Sequence, residues 1–173
     1  TALTRRGIVA INPDDPTALD EAVRTADAVL VPLQCEFFAL EGLSQLLETV
    51  DQVRNSINPD LTIQGIVLTM FDRRNNLSEA VAEDVRGYFG DRVFETVIPR
   101  NIRVSEAPSH GLPVTLYDFR SPGAQAYVKL AAELRRRERA PRPRNWSSRV
   151  SALRNVRDVS SSASAGSEVR ESR

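Results

Sequence analysis

Lysine is almost missing from this chain. Lys129, in the setting Tyr-Val-Lys-Leu, is the one lysine among 23 basic side chains, so 23 − 1 = 22 are arginine. The eight glycines include no adjacent pair, and none stands just before Lys129. A phosphate-binding loop needs bare backbone amides to surround the phosphates and a lysine to reach their outer oxygens, so no such loop can be built here. A single cysteine, Cys35, excludes an internal disulfide and any all-cysteine metal site. It fits a reducing cytoplasm, and with His110 the one histidine no mixed zinc pattern is available. No apolar run reaches the roughly 18 residues of a membrane helix, so no membrane partner is expected. GxGxxG, HExxH, GxSxG and CxxC patterns are also absent, and no residue is assigned as catalytic or as a metal ligand. The chain opens on Thr1, as expected of a fragment or a processed start.

The formal net charge of zero conceals an uneven distribution. Residues 1–134 carry 12 basic and 19 acidic side chains, a net of 12 − 19 = −7. Residues 135–173 carry 11 and 4, a net of 11 − 4 = +7. An acidic body with a basic tail is thus predicted. Arg135-Arg136-Arg137, Arg139, Arg142 and Arg144 form the densest run, and Pro141 and Pro143 stop any helix there. Rich in serine and arginine and poor in large apolar residues, 140–173 is expected to stay disordered.

Between these ends, strand and helix signals alternate. Ala28–Val31 reads as a short strand stopped by Pro32. Leu40, Leu43, Leu46, Leu47, Val50, Val53 and Ile57 recur at three- and four-residue steps, which predicts an amphipathic helix over 39–57, broken by Asn58-Pro59-Asp60. Residues 63–71 read as a buried strand, 78–89 as a helix capped by Ser78, and 92–98 as the next strand. Ser121-Pro122 is a cap followed by a first-turn proline for a final helix to about Arg139. Nearer the start, Gly7–Ile11 looks like a strand and 17–23 like a helix. The alternation predicts an α/β fold with βαβ crossovers and a parallel sheet. Ligands of such sheets gather at the carboxyl ends of the strands, where the loops 70–76 and 99–103 would lie.

Four separated blocks occur in order: Pro-Leu-Gln-Cys-Glu-Phe-Phe-Ala-Leu-Glu-Gly-Leu (32–43), Leu-Thr-Met-Phe-Asp (68–72), Ile-Pro-Arg-Asn with Ser-Glu-Ala-Pro-Ser-His-Gly (98–111), and Leu-Tyr-Asp with Ser-Pro-Gly-Ala and Ala-Tyr (116–127). In these the chain resembles the C-terminal half of the ParA/Soj chromosome-partitioning ATPases, whose fold is a doubly wound, mostly parallel sheet of the deviant Walker P-loop type. The resemblance implies three parts. Residues 1–25 form a divergent N-terminal segment, 26–139 the C-terminal half of the ATPase domain, and 140–173 a basic tail. It also implies ATP and magnesium as the family's cofactors. The loops 70–76 and 99–103 would flank the adenine, with Met70, Asp72, Pro99 and Asn101 along the base. Arg74 and Arg103 match positions that hold DNA without sequence preference, with Arg73, Arg100 and Arg120 as helpers. The implied partners are non-specific DNA, a ParB-like protein and a second copy of the chain in the ATP-bound state, at the nucleoid.

Several departures separate this chain from that pattern. The P-loop and its lysines are missing, and Asn12 stands near the place of the aspartate that organises magnesium. Hydrolysis by this chain is therefore expected to fail, and tight nucleotide binding with it. A truncated partitioning protein is the leading expectation. A non-catalytic remnant or adaptor that binds DNA or a full-length relative is the alternative. A MinD-like membrane-associated regulator is disfavoured, since 135–144 are arginine- and proline-rich. For each arginine the plainer option stays open: a solvated surface charge, or an ion pair to Asp72 or Glu106. Likewise His110 is expected to be a loop hydrogen-bonding residue and Cys35 a small packing group.

Overall fold

The computed structural model describes residues 24–139. The strand expected at Gly7–Ile11, the helix at 17–23 and the basic tail lie outside the described residues. Two parallel strands, β1 (Ala28–Gln34) and β2 (Thr62–Thr69), are joined by helix α1 (Ala39–Ser56). Helix α2 (Asn76–Phe89) and a 3-10 turn (Gly90–Arg92) follow. Beyond them come α3 (Ile102–Glu106), a second 3-10 turn (Ala107–His110), α4 (Val114–Tyr117) and α5 (Pro122–Arg139).

The predicted helix over 39–57 forms because its apolar stripe has a sheet to cover. Leu43, Leu47 and Val50 are buried against Val31, Leu33, Ile63, Ile66 and Leu68, and α2 adds Val81, Val85 and Phe89 to the same layer. Each such side chain contributes roughly 1.5–3 kcal/mol when taken fully out of water. The opposite face carries a smaller cluster of Val67, Phe94, Ile98 and Ala126, with Leu130 and Leu134 of α5 packed against it. Helices α1 and α2 thus cover one side of the sheet and α5 the other, the layering expected of an α/β fold.

Three local expectations are corrected. First, β1 does not stop at Pro32 but runs on to Gln34, with Pro32 paired to Val67. The Cys35 amide donates to the Thr69 carbonyl. Because amides alternate in direction along a strand, the position of Pro32 faces away from β2, where its missing N–H forfeits no bond to that strand. Second, Asn75 rather than Ser78 caps α2, its side chain accepting from the Leu77 amide at 3.0 Å. Ser78 is buried and its hydroxyl donates instead to the Cys35 carbonyl, 3.2 Å away.

Third, 92–98 forms no continuous strand. It meets β2 through an isolated parallel bridge, Ile66–Val93, and a second bridge, Phe71–Pro99, lies just past both segments. The Phe94 amide donates to the Ile66 carbonyl at 2.8 Å. A regular parallel ladder would next send the Thr96 amide to Leu68. The Ile98 amide takes that place at 2.9 Å, and the intervening residues loop out. Their amides are held elsewhere: Glu95 N–H and Thr96 N–H each donate to a carboxylate oxygen of Glu133, both at 2.9 Å. The competing acceptor on α5 explains why an apolar, strand-like run fails to pair along its length.

Candidate functional site

The loops after β2 and after residue 98 meet at the carboxyl edge of the sheet. Met70 ends the strand in the left-handed region, with φ of 54°. That conformation costs a side-chain-bearing residue about 1–2 kcal/mol. It redirects the chain so that the Phe71 amide donates to the Ile98 carbonyl at 3.2 Å and the Arg100 amide to the Phe71 carbonyl at 2.9 Å. The two loops are thereby joined by backbone alone.

Beside this junction opens a cleft of about 660 Å³, between the first turns of α1 and α2. Met70, Asp72 and Arg100 line it, together with Gln34, Phe37 and Phe38. Pro99 and Asn101 belong to the same loop pair but are not among the lining residues. Pro99 is half-buried at its bridge to Phe71. The Asn101 side chain caps α3, accepting from the Arg103 amide at 3.0 Å. Phe37 and Phe38, 74% and 71% exposed, stand edge to face with centroids 5.1 Å apart at the mouth. Sequence reasoning placed them in the 32–43 block without giving them a role; two consecutive phenylalanines ahead of the helix stripe were the available signal.

Cys35 lies on the cleft floor, buried, and burial pushes its thiol up in pKa while the charge of Arg86 on α2 partly opposes this. Cys35 is part of the buried core cluster, the small packing group expected of it.

Most of the arginines assigned to DNA already have carboxylate partners. Arg74 grips Asp72 with two guanidinium nitrogens, each at 3.1 Å, and its amide donates to the same carboxylate at 3.0 Å. Hydrogen bonds from the Arg74 side chain and amide hold the Asp72 carboxyl below its usual range, and the bond to Asp72 raises Arg74. Arg103 sits between Glu106, at 2.8 Å, and Asp118, at 3.5 Å. The hydrogen bond to Glu106 raises the Arg103 guanidinium further. Tyr117 donates its hydroxyl to the same Glu106 oxygen at 3.3 Å, and His110 stacks on the Tyr117 ring with centroids 4.8 Å apart. Arg100 approaches Glu36 at 3.9 Å. Arg73 and Arg120 are exposed, and neither makes an ion pair among the described residues.

Comparison with known proteins turns this geometry into a family assignment. A family model described as an AAA domain matches residues 8–63. The chromosome partitioning protein ParA of Caulobacter vibrioides is 67% identical over 118 residues, which is 68% of this chain and 44% of that protein. The sporulation initiation inhibitor protein Soj of Bacillus subtilis is 57% identical over 113 residues, 65% of this chain and 45% of that one. The chain belongs to the ParA/Soj family. It spans less than half the length of these ParA/Soj relatives. A cobyrinic acid a,c-diamide synthase from Mycobacterium smegmatis, solved with an ATP analogue and magnesium bound, superposes with a TM-score of 0.52 at 32% identity. That match covers 69% of this chain and 42% of the synthase. The ParA/Soj chain has the same α/β layering with a parallel sheet.

Among the described residues, no group of three or more His, Cys, Asp or Glu side chains stands together. The whole sequence lacks the amide loop and lysine that would hold a triphosphate. Nor is any helix of the described residues long and apolar enough to cross a membrane.

Proposed function

We propose that this chain supplies the base-side wall and the DNA-facing loops of a ParA/Soj-type partitioning protein, without phosphate-gripping or hydrolytic chemistry of its own. The observation that carries this reading is the backbone junction between Phe71 and the Ile98–Arg100 segment. It sets Met70 and Pro99 near one another as apolar surfaces suited to a purine face, with Asp72 and Asn101 offering polar groups at the edge. The same junction draws Arg73, Arg74, Arg100 and Arg103 to one end of the sheet, with Arg120 on the connection into α5. Non-specific DNA binding asks for cations at phosphate spacing and little else. Arginine suits phosphate through its planar fork of donors.

In the complete family arrangement this surface would serve a nucleotide-bound homodimer on nucleoid DNA, released by a ParB-like partner. The adaptor reading, in which the chain acts on a full-length relative, shares the same surface and differs only in where the phosphates are held. Binding of the 173-residue chain to a random-sequence DNA duplex, followed by fluorescence anisotropy across a salt series, tests the proposal. Arg103→Ala and Arg120→Ala should each weaken binding on every sequence and flatten the salt slope by up to about 0.9 per lost phosphate contact. Unchanged slopes in both variants would remove this surface from the DNA footprint.

A further inference from the structure

Arg103 is 48% exposed, yet two carboxylates from different parts of the chain already hold it: Glu106 at 2.8 Å and Asp118 at 3.5 Å. Glu106 comes from the same short helix, three residues on, whereas Asp118 lies at the end of α4. The Tyr117 hydroxyl fixes the Glu106 oxygen that meets Arg103, and Tyr117 is itself stacked on His110. This differs from Arg73 and Arg120, which make no ion pair among the described residues.

We infer that Glu106 and Asp118 are built-in counter-ions that compete with DNA phosphate for Arg103, so that this arginine is a conditional contact. The inference rests on the DNA-facing reading above and adds its regulation. A guanidinium can meet a phosphate bidentately only if its fork is free. While Glu106 occupies one nitrogen and Asp118 approaches another, a phosphate must displace at least one carboxylate. The gain from the new bond is then reduced by the loss of the old one, and the local charge presented to the duplex is lowered. Exposed pairs of this kind are weak, so the clamp tunes binding and does not abolish it. Tyr117 and His110 are positioning residues: they hold Glu106 where it competes and meet no DNA themselves.

The test uses the 173-residue chain and a random-sequence duplex in an anisotropy titration over a potassium chloride series. Glu106→Gln keeps the shape and the acceptor for Tyr117 but removes the charge. It should tighten binding about three- to fivefold, the range expected for freeing one partner of an exposed pair. It should also steepen the salt slope by up to about 0.9, the share of one additional phosphate contact. In an Arg103→Ala background the same substitution should give no such gain. Glu83→Gln, an exposed acid on α2 outside the cluster, serves as the measure of a general change in net charge.

A gain from Glu106→Gln that persists without Arg103, or that Glu83→Gln reproduces, overturns the clamp. So does weaker binding by Glu106→Gln with an unchanged circular dichroism spectrum. If Arg103→Ala weakens binding while Glu106→Gln has no effect, only the clamp fails. If Arg103→Ala leaves affinity and slope untouched, or no variant binds DNA, the DNA-facing reading has failed instead.

Discussion

Glu133 on α5 and Thr96 in the looped segment are joined across 37 residues of sequence, the Thr96 amide donating to the Glu133 carboxylate at 2.9 Å. The other carboxylate oxygen takes the Glu95 amide at 2.9 Å, and Arg137, one turn along α5, closes the pair at 2.8 Å. Arg137 also donates to the Asp91 and Val93 carbonyls, both at 2.8 Å, and lies 4.0 Å from the centre of the Phe94 ring. One buried acid and one arginine thus hold the segment that leads into the 99–103 loop.

Glu133→Gln should lower unfolding free energy by about 3 kcal/mol, since breaking a buried, hydrogen-bonded pair from one side leaves its partners uncompensated. Urea denaturation of the variant against the parent chain reads this directly. A change within experimental error would show that water or another side chain replaces the carboxylate.

The same carboxylate predicts an acid limb of stability. Burial pushes the Glu133 carboxyl up, but hydrogen bonds from Thr96, the Glu95 amide and Arg137 outweigh it and leave the value below the ordinary glutamate range. A group whose folded value is depressed stabilises the fold above its unfolded value, about 4.3, and loses that contribution as pH falls through the folded value. Melting temperature should therefore be level above about pH 5 and decline below about pH 4, and Glu133→Gln should blunt the decline.

Gly65 should not tolerate a side chain. Its φ is 155°, and an added Cβ would lie 2.6 Å from the Phe94 ring and 2.7 Å from the Arg92 carbonyl oxygen. Gln64, just before it, is the unpaired residue at the register shift between β1 and β2. Gly65→Ala should cost about 2–3 kcal/mol and push the 92–94 backbone away from β2. Faster hydrogen exchange at the Phe94 amide would report that displacement; an unchanged rate would contradict it.

At Gly123, in the first turn of α5, a Cβ would run into the Val104 side chain and lie 3.2 Å from the Cβ of Asn101. Gly123→Ala should displace α3, weaken the Asn101 cap and cost about 1–3 kcal/mol. Because Arg103 rides on α3, DNA binding should fall along with stability. Full DNA affinity in this variant would mean that the Arg103 contact does not depend on the packing of α3 against α5.

On the proposed base-side reading, adenosine and ATP should bind this chain with similar, weak affinity, on the order of millimolar, because its sequence offers no amide loop to the phosphates. Saturation-transfer NMR with each ligand makes the comparison. ATP binding tenfold tighter than adenosine would reveal a phosphate site built from other groups.

Much of the architecture is written in neighbouring residues. The three-and-four spacing from Leu40 to Val53 has one helical answer, Ser121-Pro122 starts α5 where its chemistry says, and the apolar run Ile66-Val67-Leu68 is buried on both faces as a parallel strand requires. That no glycine-rich loop precedes Lys129, the one lysine, is likewise a property of the string alone. Other outcomes depended on groups far away in sequence. Whether 92–98 became a strand turned on a carboxylate at position 133, and which residue capped α2 turned on whether the Ser78 hydroxyl could reach the Cys35 carbonyl. That Arg103 would be shared between Glu106 and Asp118 required α4 to fold back beside α3. Local periodicity decides what can form cheaply. A buried polar group must find a partner at any sequence distance, and only the packed chain determines which partner arrives.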